Sequence, residues 1–251
     1  MTPRRIDDVL RSRKDVSPFL VHLTRSHYDE SMITARECLE TIIESEKLYL
    51  GGNMFPKDSS SMSAAKYGIP RERLRRLKNY LEFISFTDTP LEDLHSLFDI
   101  AGREINLEPY GLVFLKNRLI RRGVSPVFYL NNSRGDKDEV VRALYSLIKT
   151  HKEAAAHILP LVATFGEMLK PEGGTPSKKS RPDFTWEREW RYAGSDLDFN
   201  SDDVFMGLCP KDEIEDFEKR FPPVKFFDPK NQKEYTRKIE YWKLKRSAEL
   251  Y

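Results

Sequence analysis

The sequence has little of what metal sites, disulfide frameworks and membrane spans require. Its two cysteines, Cys38 and Cys209, are far apart in the chain, so we expect neither a disulfide framework nor a zinc knuckle. The five histidines lack the spacing of a metal site, which argues against a bound metal. The longest apolar runs, such as 126–130 and 158–163, are too short to cross a bilayer.

The sequence also shows no export signal and has only a small net charge. The chain starts with a charged segment, residues 1–5, that has no apolar stretch of the kind a secretion signal needs. The sparse cysteines fit a reducing compartment, so we expect a cytoplasmic protein. Although 33% of the residues are charged, the formal net charge is only +2, so any nucleic-acid footprint must be local.

The hydrophobic pattern predicts an α+β protein that forms a single domain over residues 1–251. Hydrophobic residues make up 39% of the chain, which is enough for a sizeable core. The predicted strands alternate with helices of unequal length and show no βαβ rhythm. They span residues 19–24, 83–87, 111–115, 126–130, 184–192, 204–208 and 224–227. The predicted helices span residues 30–49, 71–80, 117–122, 138–168 and 211–221, with another beginning after Pro90. The region 138–168 is predicted to be one long or broken helix, in which Pro160 marks a kink or a boundary.

Two Gly-, Ser- and Lys-rich stretches, near 51–70 and 170–182, are predicted to be mobile loops. A strongly basic helix comes directly after the first of them, and the second loop is itself basic. Such charges could contact phosphates, although a solvated helix face is the commoner explanation of a charge run. The candidate nucleic-acid-binding residues are Arg71, Arg73, Arg75, Arg76, Lys178 and Lys179.

The segment WEREWRY, residues 186–192, is the most distinctive candidate for chemistry. Alternation along a strand would put Glu187, Glu189 and Arg191 on one face. The two carboxylates would lie about 7 Å apart, a costly arrangement without a cation between them. Arg191 could be that cation, and so could a substrate that develops positive charge. An ordinary Glu–Arg pair on a surface strand explains the segment at least as well.

Two other predicted strands carry polar side chains at alternate positions. His22 and Thr24 share a face of the first strand, and Ser85 and Thr87 share a face of the FISFT strand. Taken singly, a core histidine and a half-solvated strand face explain them. The sequence contains no P-loop, GxGxxG, HExxH or nucleophile-elbow motif.

The order of several short motifs resembles a known family. A strand containing HLT is followed by CLETIIES, FISFTDTPLEDL, YGLVFLKNRLIRRGVSPVFYL and EREWRY. This order resembles the AbiGi group of abortive-infection, or phage-defence, proteins. More distantly it is similar to ADP-ribosyltransferase toxins such as DarT and CmdT. The resemblance covers residues from about 19 to 192.

The resemblance implies an ADP-ribosyltransferase-like split β-sheet core, with flanking helices, that binds NAD in a cleft. It assigns His22, Thr24, Ser85 and Thr87 to NAD binding. It also implies that Glu189 is the catalytic carboxylate and that Glu187 orients or deprotonates the acceptor; these roles could be exchanged. The implied function is that of an NAD-dependent phage-defence toxin, and the basic segments favour RNA or DNA as the acceptor.

Two other functions stay open. The resemblance itself also supports a non-enzymatic antitoxin or regulatory partner in a two-gene abortive-infection system, which would bind a toxin protein. The basic segments alone would suit a nucleic-acid-binding module without catalysis.

Overall fold

The computed structural model describes most of the predicted core elements. The described residues are 15–26, 32–50, 52–53, 82–100, 107–131, 139, 143–144, 146–147, 150–165, 185–222 and 224–231. The chain divides into two compact units. The first unit comprises Met1–Leu48, Phe86–Gly123 and Leu197–Tyr251, and the second comprises Tyr49–Ser85 and Val124–Asp196.

The described secondary structure mixes strands with short helices. The strands are β1 Phe19–Leu23, β2 Lys47–Leu48, β3 Gly52–Asn53, β4 Glu82–Thr87, β5 Gly111–Leu115, β6 Ser125–Pro126, β7 Phe128–Asn131, β8 Val162–Phe165, β9 Glu189–Ala193, β10 Leu197–Asp198, β11 Val204–Leu208 and β12 Phe226–Phe227. The α-helices are α1 Ala35–Ser45, α2 Lys116–Arg121, α3 Lys152–Ile158 and α4 Ile214–Arg220. The 3-10 helices span Leu91–Leu97, Leu159–Leu161, Thr185–Glu187 and Lys211–Glu213.

The first unit is built around β5, in which every residue is buried. β1 and β11 flank β5 on either side and run antiparallel to it. β12 is parallel to β11 and is the last of the described strands on this side of the sheet. The continuous apolar run of β5 is typical of a central strand, because both faces of such a strand are covered and neither contacts solvent. Leucines of the 3-10 helix Leu91–Leu97 pack on this sheet in one core cluster.

The outer side of β12 is protected by a carboxylate. The Lys225 carbonyl accepts a hydrogen bond from Gly207 in β11, and the Phe227 carbonyl accepts one from Cys209, directly after β11. The N–H of Phe226 therefore points away from that strand. This N–H donates to Glu218 Oε1 at 3.1 Å, and Glu218 Oε2 pairs with Lys225 Nζ at 3.1 Å. The edge N–H is therefore satisfied within the chain.

Helix α1 is shorter than the predicted 30–49 because its ends are fixed by specific caps. Thr34 and Glu37 form a capping box, in which the Glu37 N–H donates to the Thr34 hydroxyl and the Thr34 N–H donates to the Glu37 carboxylate. At the other end, Glu46 has a left-handed backbone with φ of 49°. Lys47 then pairs with Asp198 in the small ribbon of β2 and β10.

The second unit contains most of the departures from the predicted elements. The predicted strand 126–130 is divided at Val127 into β6, which pairs with β9, and β7, which pairs in parallel with β8. The helix α3 ends at Ile158, close to the boundary predicted at Pro160, but the predicted continuation of the helical region 138–168 is wrong over residues 162–165. Pro160 lies in a 3-10 helix, and the β-forming segment Val162–Phe165 continues as β8.

Several predictions are confirmed. β5 and β11 coincide with the predicted strands 111–115 and 204–208, and β4 extends the predicted strand 83–87 by one residue. Helix α2 stops before Gly123, which has a positive φ of 97°. The mixed α+β class is confirmed, whereas the ADP-ribosyltransferase-like split sheet stays a prediction. Among the described residues, no helix is long and apolar enough to cross a membrane.

Other predictions fall on parts of the chain outside the described residues. These are the helix 71–80, the loop 170–182 and nearly all of the loop 51–70. Within the latter, Gly52 and Asn53 form β3, which pairs with the start of β4.

The capping box gives a test of α1. We expect Thr34→Ala to lower the free energy of unfolding by about 1 kcal/mol, because the Glu37 N–H loses its acceptor. The matched control is Thr41→Ala in the same helix, whose exposed hydroxyl donates only to the helix carbonyl of Glu37. That variant should change stability by less than about 0.5 kcal/mol. Equal urea midpoints for the two variants would contradict the cap.

Candidate functional site

A buried ion pair on β9 is the centre of the candidate site. Glu189 and Arg191 are two residues apart, so their side chains share one face of the strand. Arg191 Nε donates to Glu189 Oε1 and Arg191 Nη2 donates to Glu189 Oε2, both at 2.8 Å. Arg191 is only 7% exposed. The two side chains therefore form a two-point, charge-assisted contact that is largely removed from water.

Ser85 on β4 adds a third hydrogen bond to the same carboxylate. Its hydroxyl donates to Glu189 Oε1 at 2.8 Å. The contact joins residues 104 positions apart in the chain, and both belong to the second unit. Ser85 and Glu189 are thus a predicted pair of site residues that the structure brings together.

The rest of the Arg191 guanidinium is also engaged. Its Nη1 donates to the carbonyl of Pro160 at 2.7 Å and to that of Val162 at 3.2 Å. The guanidinium carbon lies 3.9 Å from the centre of the Phe83 ring, which is within cation–π range. Arg191 therefore contacts β4, the 3-10 helix Leu159–Leu161 and β8 from a single position on β9.

Tyr129 on β7 completes the surroundings of Glu189. The Glu189 N–H donates to the Tyr129 hydroxyl oxygen at 2.9 Å. Burial raises the pKa of Tyr129 to about 12, and the hydrogen bond from Glu189 opposes that shift. The phenol is accordingly neutral at physiological pH and serves as an acceptor for the backbone.

This arrangement is suited to holding segments in place. Both carboxylate oxygens of Glu189 accept hydrogen bonds, and its negative charge is matched by Arg191 at contact distance. Burying a charge is tolerable when it is paired and hydrogen-bonded, and here the ion pair is supplemented by bonds from Ser85 and to two backbone carbonyls.

The structure corrects the predicted geometry of Glu187. Thr185–Glu187 form a 3-10 helix, and β9 begins only at Glu189. Between them Arg188 has a left-handed backbone with φ of 50°, which turns the chain. Glu187 and Glu189 therefore do not share a strand face, and the predicted strand 184–192 is wrong over residues 185–188.

The remaining predicted NAD-binding residues belong to the first unit. The His22 ring packs at 5.7 Å from the Phe86 ring. Thr24 is buried, and its hydroxyl donates to the Ala35 carbonyl at 2.8 Å, next to the start of α1. The Thr87 hydroxyl is hydrogen-bonded to that of Thr89 at 2.8 Å. Their assignment to NAD, and the roles assigned to Ser85 and Glu189, stay predictions.

The six candidate nucleic-acid-binding residues, Arg71, Arg73, Arg75, Arg76, Lys178 and Lys179, lie outside the described residues. Their predicted role stays a prediction. Within the part of the chain that the structure does describe, no group of three or more His, Cys, Asp or Glu side chains could hold a metal ion.

Sequence reasoning missed several residues of the site. Tyr129 and the carbonyl of Pro160 lie 60 and 31 positions from their partners on β9, and no local pattern links them. In the first unit, sequence reasoning also missed the ion pair between Lys116 Nζ and Asp88 Oδ2, which are 2.9 Å apart. A buried tyrosine hydroxyl usually has a hydrogen-bond partner, but the sequence alone does not say which one.

The comparisons with known proteins identify the family. Residues 73–247 match the family model described as "Putative abortive phage resistance protein AbiGi, antitoxin". The match spans more than half of the 251 residues, so the chain belongs to the AbiGi family. No curated protein and no solved structure matches the chain significantly.

This finding confirms one expectation and corrects another. The resemblance to AbiGi proteins is confirmed, while that to DarT and CmdT stays a prediction. The interpretation of the chain as an NAD-dependent ADP-ribosyltransferase toxin is wrong, because the family is described as an antitoxin. NAD as a cofactor remains a prediction, and the RNA or DNA acceptor implied by the toxin interpretation has no support.

The buried pair gives a stability test. We expect Glu189→Gln to lower the free energy of unfolding by about 3–5 kcal/mol, because a neutral amide leaves the Arg191 charge buried without its counter-charge. The measurement is urea unfolding followed by fluorescence. The matched control is Glu153→Gln on the exposed side of α3, which should cost less than about 0.5 kcal/mol. A loss no larger than that of the control would show that the pair is not a stabilising contact.

Proposed function

We propose that this protein is the antitoxin of a two-gene abortive-infection system and that it acts by binding a toxin protein. The observation that carries the proposal is the match of residues 73–247 to the AbiGi antitoxin family. Neutralisation by binding requires no chemistry from the chain itself, so the proposal assigns no catalytic step to Glu189.

The described surface supports a protein-binding role. Large apolar side chains that reach the solvent can be covered by a partner, and aromatic residues contribute strongly to protein interfaces. The exposed large apolar residues are Met32, Ile33, Tyr49, Ile120, Phe128, Ile158 and Trp186. Three of them, Tyr49, Phe128 and Trp186, are aromatic residues of the second unit.

The clamped geometry of the second unit also suits a binding protein. A surface that is held rigid before binding loses less conformational entropy when the partner docks. The contacts of Arg191 with Pro160 and Val162 fix the backbone that leads into β8, and Tyr129 lies next to the exposed Phe128.

Growth assays test the proposed function. Expression of this chain alone in a bacterial host should leave growth unchanged. Induction of the neighbouring gene of its operon alone should arrest growth, and co-expression of the two should restore it. Affinity purification of this chain from the co-expressing cells should recover the neighbouring gene product. Arg191→Met should weaken the rescue by destabilising the second unit, whereas Glu153→Gln should rescue as well as the wild type.

Growth arrest caused by this chain on its own would contradict the antitoxin role. So would failure of the folded wild-type chain to rescue cells or to bind the neighbouring product.

A further inference from the structure

The strand segment 125–131 changes its partner at Val127. Before that residue, β6 pairs antiparallel with β9, with Ser125 opposite Arg191 and Pro126 opposite Trp190. The Val127 N–H still donates to the Glu189 carbonyl at 3.0 Å. From Phe128 onward, β7 pairs in parallel with β8 instead. β7 and β8 therefore form a two-stranded ribbon of their own.

Past Val127, side chains link this ribbon to β9. The Tyr129 hydroxyl accepts from the Glu189 N–H at 2.9 Å. Arg191 Nη1 donates to the carbonyls of Pro160 and Val162, just before and at the start of β8. One guanidinium thus holds the 3-10 helix Leu159–Leu161 and the first residue of β8 against β9.

The segment around the ribbon is lightly buried compared with the sheet of the first unit. Phe128 is 62% exposed and Ile158 is 40% exposed, whereas β5 and β11 are buried throughout. The buried residues of this segment are Ala155 in α3, Leu159 and Pro160 in the 3-10 helix, and Val162 at the start of β8. Regions with few buried apolar contacts open at lower free energy than the core of the same protein.

We infer that the Arg191 guanidinium is the clasp of a local opening unit formed by β7, α3, the 3-10 helix Leu159–Leu161 and β8. Releasing the clasp lets this unit open while the sheet of the first unit stays folded. The clasp is held in position by Glu189 and by the Phe83 ring, so the guanidinium meets both carbonyls without further ordering. This inference does not rest on the antitoxin function.

Hydrogen–deuterium exchange of the full chain, read by mass spectrometry, tests the clasp. Arg191→Lys keeps the positive charge but loses the planar fork that reaches the carboxylate and both carbonyls at once. We expect amides of residues 128–131 and 162–165 to exchange at least about tenfold faster, which corresponds to about 1.4 kcal/mol of opening free energy. Amides of residues 111–115 and 204–208 should keep their wild-type rates.

Two further variants keep the test specific. Tyr129→Phe removes the hydroxyl acceptor but keeps the ring, and it should speed exchange in the same two segments. The matched control is Arg122→Lys in the first unit, whose guanidinium contacts Asp203 Oδ2 and the Asp198 carbonyl, both at 2.6 Å. It should leave the ribbon unchanged.

Three results would overturn the inference. They are an unchanged ribbon in Arg191→Lys, equal acceleration of the ribbon and the first-unit strands in that variant, and acceleration of the ribbon in Arg122→Lys.

Discussion

The second unit is organised around a guanidinium buried among acceptors. Arg191 is tolerated away from water because a carboxylate, two backbone carbonyls and an aromatic face surround it. Its partner Glu189 is only two positions away, so the ion pair alone joins no distant segments. The long-range links come from the other groups that meet the pair: Ser85, Tyr129 and the carbonyls of Pro160 and Val162. A contact that looks local in sequence thereby fixes four separate stretches of backbone.

The fold was predictable where a residue pattern is compatible with only one kind of secondary structure. β5 and β11 are continuous apolar runs with both faces buried, and such runs read clearly as strands. The alternating pattern wrongly predicted a strand at residues 186–188. The sequence still alternates there, although the left-handed backbone of Arg188 turns the chain. The strand Val162–Phe165 was missed because a short apolar run after a helix looks the same whether the helix continues or ends.

The site was predictable only in part, for a related reason. Alternation along β9 correctly offered Arg191 as a partner of Glu189, because that contact is local. The engagement of Tyr129 and of the Pro160 carbonyl depends on which segments meet in space, and spacing along the chain carries no information about that. The family was recognisable from the order of short motifs, yet the same residues suggested an enzyme because acidic and hydroxyl side chains occur both in catalytic sites and in structural clamps.

The carboxylate of Glu218 has a consequence for the behaviour of the protein at high concentration. An unprotected edge strand offers its N–H groups as a template to any other extended chain, which is a common route to aggregation. On β12 the outward N–H of Phe226 is already occupied by an acidic side chain, and a strand from a second molecule would have to displace that charge and the Lys225 paired with it. The Phe226 N–H is therefore a poor starting point for sheet extension by a second molecule.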